Sequence, residues 1–194
     1  MKPTLEEYLE ELEKRYQAHY NVERYKAIAG KELDIYAISI IEHFRHAFTK
    51  SIQIDHYQEK EIILVKGFKK FIQDKEIKEF SQYLVTTSKE LVTPSFEIMS
   101  HIINGIIISS QGFSEEAISN AQSFKYGRTF CLGIKGWCDI RLLLIDIQNN
   151  DVYCNVKGRE VVEIYAFNNK KGGDAKSISS EKNKKSSFLQ SPGY

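Results

Sequence analysis

The chain has 194 residues and a net charge of +1, with 42% apolar, 12% aromatic and 27% charged residues. That is enough hydrocarbon for one buried core, so a single domain is expected. No run approaches the roughly 18–20 consecutive apolar residues of a bilayer-spanning helix, and the acidic start Met1-Lys2-Pro3-Thr4-Leu5-Glu6-Glu7 lacks a secretory pattern, so a cytoplasmic protein with no membrane partner is expected.

Charge is unevenly spread. Residues 168–194 carry six lysines against Asp174 and Glu181, a net of +4, which leaves residues 1–167 at −3. A nucleic-acid partner must therefore be argued from a local cluster and not from a global field. The same stretch is rich in Ser, Lys, Asn and Gly, and reads as a disordered tail behind a domain of residues 1–167. Cys131, Cys138 and Cys154 lack CxxC spacing, and no His pair at finger spacing completes a zinc site, so reduced thiols are expected.

In chain order, Leu5, Tyr8, Leu9, Leu12 and Tyr16 form the apolar stripe of an amphipathic helix with Thr4 as N-cap. Ala18 to Val22 reads as loop. Glu32 to Ile40 reads as a strand behind a turn at Gly30. Glu42 to Lys60 is polar and aromatic, with a short strand expected at Ser51–Ile54. Glu61-Ile62-Ile63-Leu64-Val65-Lys66 has the continuous apolar character of a strand buried on both faces, the centre of the sheet. A helix follows from about Asp74 to Leu91, and the apolar spacing from Phe96 to Ile103 suggests that it resumes beyond Pro94.

Gly105 to Ser110 is a buried-type strand. Ser114, with Glu115 and Glu116 behind it, opens a helix whose inner stripe is Ala117, Ile118, Ala121 and Phe124. Arg128 to Ile134 reads as a strand, and Ile140 to Ile147 fits helix or strand. The turn residues Gln148 to Asp151 and the alternation Val152 to Val156 suggest a closing C-terminal β-hairpin. The expected class is thus α/β, a mixed central sheet flanked by helices.

Asp34, inside one strand, and Lys66, at the end of the next, are the residues with most chemical content. A metal-dependent phosphodiesterase needs carboxylate oxygens to hold Mg²⁺ and a lysine to orient or deprotonate the attacking water. Two neighbouring strands deliver such groups to one sheet edge, and a first-helix glutamate, Glu6, Glu10 or Glu13, completes the set. Lys66, Lys69, Lys70 and Lys75, interleaved with Phe68 and Phe71, form a cluster suited to phosphates. The solvated-face reading of those lysines stands beside it. His43 and His46 lack a carboxylate at ligand spacing, and the glycines form neither GxGxxG nor a Walker pattern.

The local words in this order resemble the PD-(D/E)XK nucleases, and within them the Mrr-like branch. Gly30-Lys31-Glu32-Leu33-Asp34-Ile35-Tyr36-Ala37 looks like that family's acidic strand, and Ile62-Ile63-Leu64-Val65-Lys66 like its lysine strand. Gly105 to Ala117 is similar to the branch's strand and F-S-x-x-A segment. The resemblance, which spans about Leu5 to Leu144, implies a restriction-endonuclease-like fold and hydrolysis of DNA phosphodiesters with Mg²⁺. Asp34 would be a metal ligand and Lys66 the water-orienting residue; Glu32, which shares a strand face with Asp34, is the better local candidate for a second ligand and auxiliary acid, and a first-helix glutamate such as Glu10 is the other. By analogy, symmetric cutting implies a homodimer. One departure stands out: Leu64 occupies the place of the second acidic ligand, and a leucine cannot ligate a metal. The alternative is therefore a degenerate nuclease-fold module that binds DNA or a protein partner without cutting, and behind it a structural interaction domain with no nucleic-acid role.

Overall fold

The computed structural model describes residues 2–46 and 53–167, with side chains described for all of these except 43–46 and 53–56. The expected strand at Ser51–Ile54 lies partly outside this range, the tail 168–194 wholly so, and the side chains of His43 and His46 are not covered. The elements are α1 (Leu5–Gln17), β1 (Asn21–Ile28), β2 (Lys31–His46), β3 (Gln53–Phe68), α2 (Asp74–Leu91), β4 (Ile98–Ser109), α3 (Glu115–Ser123), β5 (Gly127–Thr129), β6 (Trp137–Asp146) and β7 (Asp151–Cys154). They form a mixed α/β structure around one seven-stranded sheet of order β1-β2-β3-β4-β6-β5, with β7 also paired to β6. The β1–β2–β3 meander is antiparallel, β3, β4 and β6 run parallel, and β5 and β7 are antiparallel to β6.

Each helix begins where its cap is encoded. Thr4 and Glu7 form a reciprocal capping box at α1, Glu76 accepts the Gln73 backbone N–H at α2, and the Ser114 hydroxyl accepts the Ala117 N–H at α3. Two apolar clusters sandwich the sheet. α2 and α3 bury Ile77, Phe80, Leu84, Ala117 and Ala121 against Ile62, Leu64, Ile103 and Leu142 on one face. α1 buries Leu5, Leu9 and Leu12 against Ile63, Val65, Ile106 and Leu143 on the other. No helix among the described residues is long and apolar enough to cross a membrane.

Three expectations are corrected. Residues 21–28, in part read as loop, form β1; the apolar alternation is hidden because Arg24 and Lys26 take half-buried positions. Phe96 to Ile103 does not resume as helix: it leads into β4, which is sandwiched between β3 and β6 and buried along most of its length. Arg128 to Ile134 holds only the end of the short β5 and then a 3-10 turn at Cys131–Gly133. Cys131, Leu132 and Gly133 have φ of +49°, +54° and +93°, and such left-handed backbone ends a strand. Ile140 to Ile147, left between helix and strand, falls mostly in β6, and the hairpin to β7 closes on the Gln148–Asn150 turn.

The β1–β2 ribbon changes faces midway. Val22, Ile35 and Ala37 belong to the α1-side cluster, while Ile28, Leu33, Tyr36 and Ile38 belong to the α2 side. Regular alternation would put Leu33 and Ile35 together. The break falls at Asp34 and its opposite number Tyr25, which has φ of +52° and drops out of the ladder between Arg24↔Ile35 and Lys26↔Leu33. Ala29 and Gly30, both at positive φ, make the two-residue turn that joins the strands.

Candidate functional site

Asp34 sits at that break, where β2 also parts from β3. The last matched pair at this end is Ile35 opposite Val65. Beyond it the Asp34 carboxylate replaces a ladder carbonyl: Oδ2 accepts the Gly67 backbone N–H at 2.7 Å. Lys66 Nζ lies 3.4 Å from the same oxygen, with the side chains 23% and 16% exposed for Lys66 and Asp34. The two sequence-derived residues thus meet at the end of β3. The Asp34 carboxylate already does structural work, because a backbone N–H donating to a charged group contributes about 1.5–3 kcal/mol.

The acids expected around them do not gather. Leu64, two residues before Lys66 and on the same side of β3, is fully buried in the α2-side cluster. Glu32 is exposed at the start of β2, and Glu10 is exposed on α1, whose buried stripe packs on the other sheet face. Neither bonds to Asp34 or Lys66 among the described residues. Glu6 and Glu13 are engaged by Arg24, at 2.8 and 3.2 Å. Glu61 points to the α1 side and is held by Asn104 at 2.7 Å, Tyr20 at 2.6 Å and Arg141 at 3.1 Å. Among the described residues, no three His, Cys, Asp or Glu side chains converge as ligands. The donor set around Asp34, a single carboxylate already shared between an N–H and a lysine, does not fit a two-carboxylate Mg²⁺ centre.

The lysines form a local cationic rim. Lys69, Lys70 and Lys75 are exposed, as is Phe71 at 43%. Lys70 pairs with Glu76, and Lys75 lies 3.8 Å from Glu79; Lys69 has no ion-pair partner among the described residues. A shallow cleft of about 310 Å³ opens here, lined by Lys31, Phe68, Lys70, Lys75, Glu76 and Glu79 among others. Lys31 was not singled out from the sequence. It follows the hairpin turn directly, and its ammonium lies 5.2 Å from the Tyr83 ring centre, so the turn signal at Gly30 was the one clue to its placement at the cleft.

The fold and this site define a mixed α/β domain with one acid–lysine pair and a lysine-bearing rim at a sheet edge. The chain belongs to the family described as a domain of unknown function, DUF8052, whose model matches residues 4–167. No curated protein and no solved structure matches the chain.

Proposed function

We propose that the chain is a nuclease-fold-derived module that binds nucleic acid along the lysine-bearing end of β3 and does not cut it. The element order supports this reading: a helix, an antiparallel meander, a helical crossover and a parallel strand follow the order that the PD-(D/E)XK resemblance implies. Asp34 and Lys66, the residues carried over from that resemblance, lie 3.4 Å apart. The observation that carries the non-cutting half is Leu64, fully buried where the second acid would stand. A glutamate there would leave an uncompensated carboxylate in hydrocarbon.

Binding would rest on Lys69, Lys70, Lys75 and Lys31 neutralising phosphates, with Phe71 offering an exposed ring to an unstacked base. The test is titration of short single- and double-stranded DNA over a salt series, with Mg²⁺ and with EDTA. Expected are affinities that fall with salt, are indifferent to EDTA and drop at least tenfold in the Lys69→Glu/Lys70→Glu variant, while plasmid DNA stays intact. Salt-independent failure to bind either DNA would overturn the reading and leave a module for a protein partner.

A second reading keeps the chemistry: Mg²⁺-dependent hydrolysis of DNA by a homodimer. The contact between Asp34 and Lys66 is the observation in its favour. Plasmid cutting that requires Mg²⁺ or Mn²⁺ and disappears in both Asp34→Ala and Lys66→Ala would establish it in place of the first.

A further inference from the structure

At the opposite end of the sheet, His101 is 1% exposed, and neither ring nitrogen has a hydrogen-bond partner. Buried imidazoles normally give and accept one bond each, so this ring is held mainly by packing, with the Trp137 backbone its one polar influence of hydrogen-bond type. It lies on the α2 side of β4, two residues before Ile103 of that cluster. The register places it between Lys60 on β3 and Cys138 on β6. Lys60 donates from Nζ to the Leu91 carbonyl at 3.2 Å and so caps the C-terminal end of α2. Close to that last turn lies a further buried atom, Thr87 Oγ1, while the Ser88 hydroxyl donates to Val85 O and accepts from Tyr126 OH.

We propose that His101 is an acid-operated latch: protonating its ring frees the C-terminal turn of α2 and the segment 92–97 from the sheet. Apart from the Trp137 backbone, the groups around the ring leave the added charge without compensation. From β3 it meets the Lys60 ammonium. From β6 it meets the Cys138 thiol, which burial pushes up to about 12 and keeps neutral. The α2 groups are hydroxyls and the exposed Lys89 and Glu90, and Arg128 of β5 lies beyond Cys138. No carboxylate among the described residues bonds to the ring. An imidazolium here sets a second cation beside Lys60 under hydrocarbon, and the cheapest relief is to let water in at the nearest helix end.

The direction of titration agrees. Burial, then the Lys60 charge, hold His101 below its ordinary 6.5, against a smaller opposing influence of the Trp137 backbone. The closed form is therefore fully favoured above pH 6.5, and below it the closed-to-open ratio falls about tenfold per pH unit until the folded-state value is reached.

The experiment is amide hydrogen exchange on the full chain at pH 7.5 and pH 5, corrected for intrinsic rates, with Trp137, the sole tryptophan, as a fluorescence reporter one residue from Cys138. Protection in 86–92 should be lower at pH 5 than at pH 7.5 while the β3–β4–β6 amides stay protected. His101→Phe should remove that dependence. Lys60→Met, which lifts the repulsion and brings the folded-state value of His101 closer to its ordinary one, should make the acid loss of protection smaller than in the parent chain. Equal protection at both pH values, a loss shared by the whole sheet, or an unchanged profile in either variant would overturn the latch.

Discussion

Asn155 and Leu142 bond to each other in both directions. The Asn155 backbone N–H donates to the Leu142 carbonyl at 3.1 Å, and the Leu142 N–H donates back to the Asn155 side-chain oxygen, also at 3.1 Å. The same amide group accepts from Gly158 N–H at 2.8 Å and donates to the carbonyls of Ile140 at 3.0 Å and Phe124 at 3.3 Å. Asn155 therefore acts as a piece of backbone. It fills the stretch of β6 between the part paired by β5 and the part paired by β7.

Asn155→Ala should consequently be among the costliest single changes. It strands two donors and removes a donor from two acceptors, at about 1–3 kcal/mol for each buried group left unsatisfied. A loss of about 3 kcal/mol or more in urea unfolding is expected, and Asn155→Asp, which keeps the acceptor oxygens but loses the donor, should fall between. A loss below about 1 kcal/mol for the alanine would contradict the bonding described.

Gly105 is required by close approach and not by its backbone angles. A Cβ built there would stand 2.2 Å from Leu84 Cδ1, and Leu84 is fully buried under α2. Gly105→Ala should cost about 1–3 kcal/mol through overpacking. Combining it with Leu84→Val should recover part of that loss, a non-additivity that thermal unfolding of the two single variants and the double variant would reveal.

The helix caps predict an acid limb. The Glu7 carboxylate is held below its ordinary 4.5 by the Thr4 backbone N–H, then by the Thr4 hydroxyl. Glu76 is held below 4.5 first by Lys70. Carboxylates lowered on folding favour the folded state above the unfolded value, and that contribution is lost as pH falls through the folded one. Helical ellipticity should hold down to about pH 4.5 and decline below it. The Glu7→Gln/Glu76→Gln pair should start lower and decline less steeply. This window opens at lower pH than that of His101, which begins at 6.5.

The three thiols should react in order of access. Cys131 is exposed, Cys154 intermediate and Cys138 buried. Burial raises the Cys154 thiol above its ordinary value, and Cys138 is raised further. A disulfide reagent at pH 8 should label Cys131 within the mixing phase and Cys154 more slowly, with Cys138 reacting at the rate of opening. Early labelling of Cys138 would show that β6 is less closed than described.

Much of this architecture was legible where one residue type admits one role. Thr4, Ser114 and Gly30 mark two helix starts and a turn, and the unbroken run Ile62 to Val65 marks a central strand. The pairing of Asp34 with Lys66 was also anticipated, because neighbouring strands bring their ends together. What could not be read was set by tertiary placement. β1 is masked by Arg24, whose charge is answered by Glu6 and Glu13 only once α1 docks. β4 begins in a segment whose spacing suits a helix, and its burial between β3 and β6 overrides that period. The exposure of Glu32 and Glu10 follows from the rolled β1–β2 ribbon and from the face on which α1 lies, neither of which appears in local sequence.

The half-turn of the β1–β2 ribbon at Tyr25 has a bearing on self-association. Asn155 and the two short strands occupy the β6 side of the sheet, and the outer rim of Asn21–Ile28 is one of the edges open to an incoming chain. There the left-handed Tyr25 interrupts a continuous row of donors and acceptors, and Glu23 and Lys26 add charge on either flank. A straight strand cannot add along such a rim for more than three or four residues. The kink that gives Asp34 its position thereby also blunts this one edge of the sheet against strand addition.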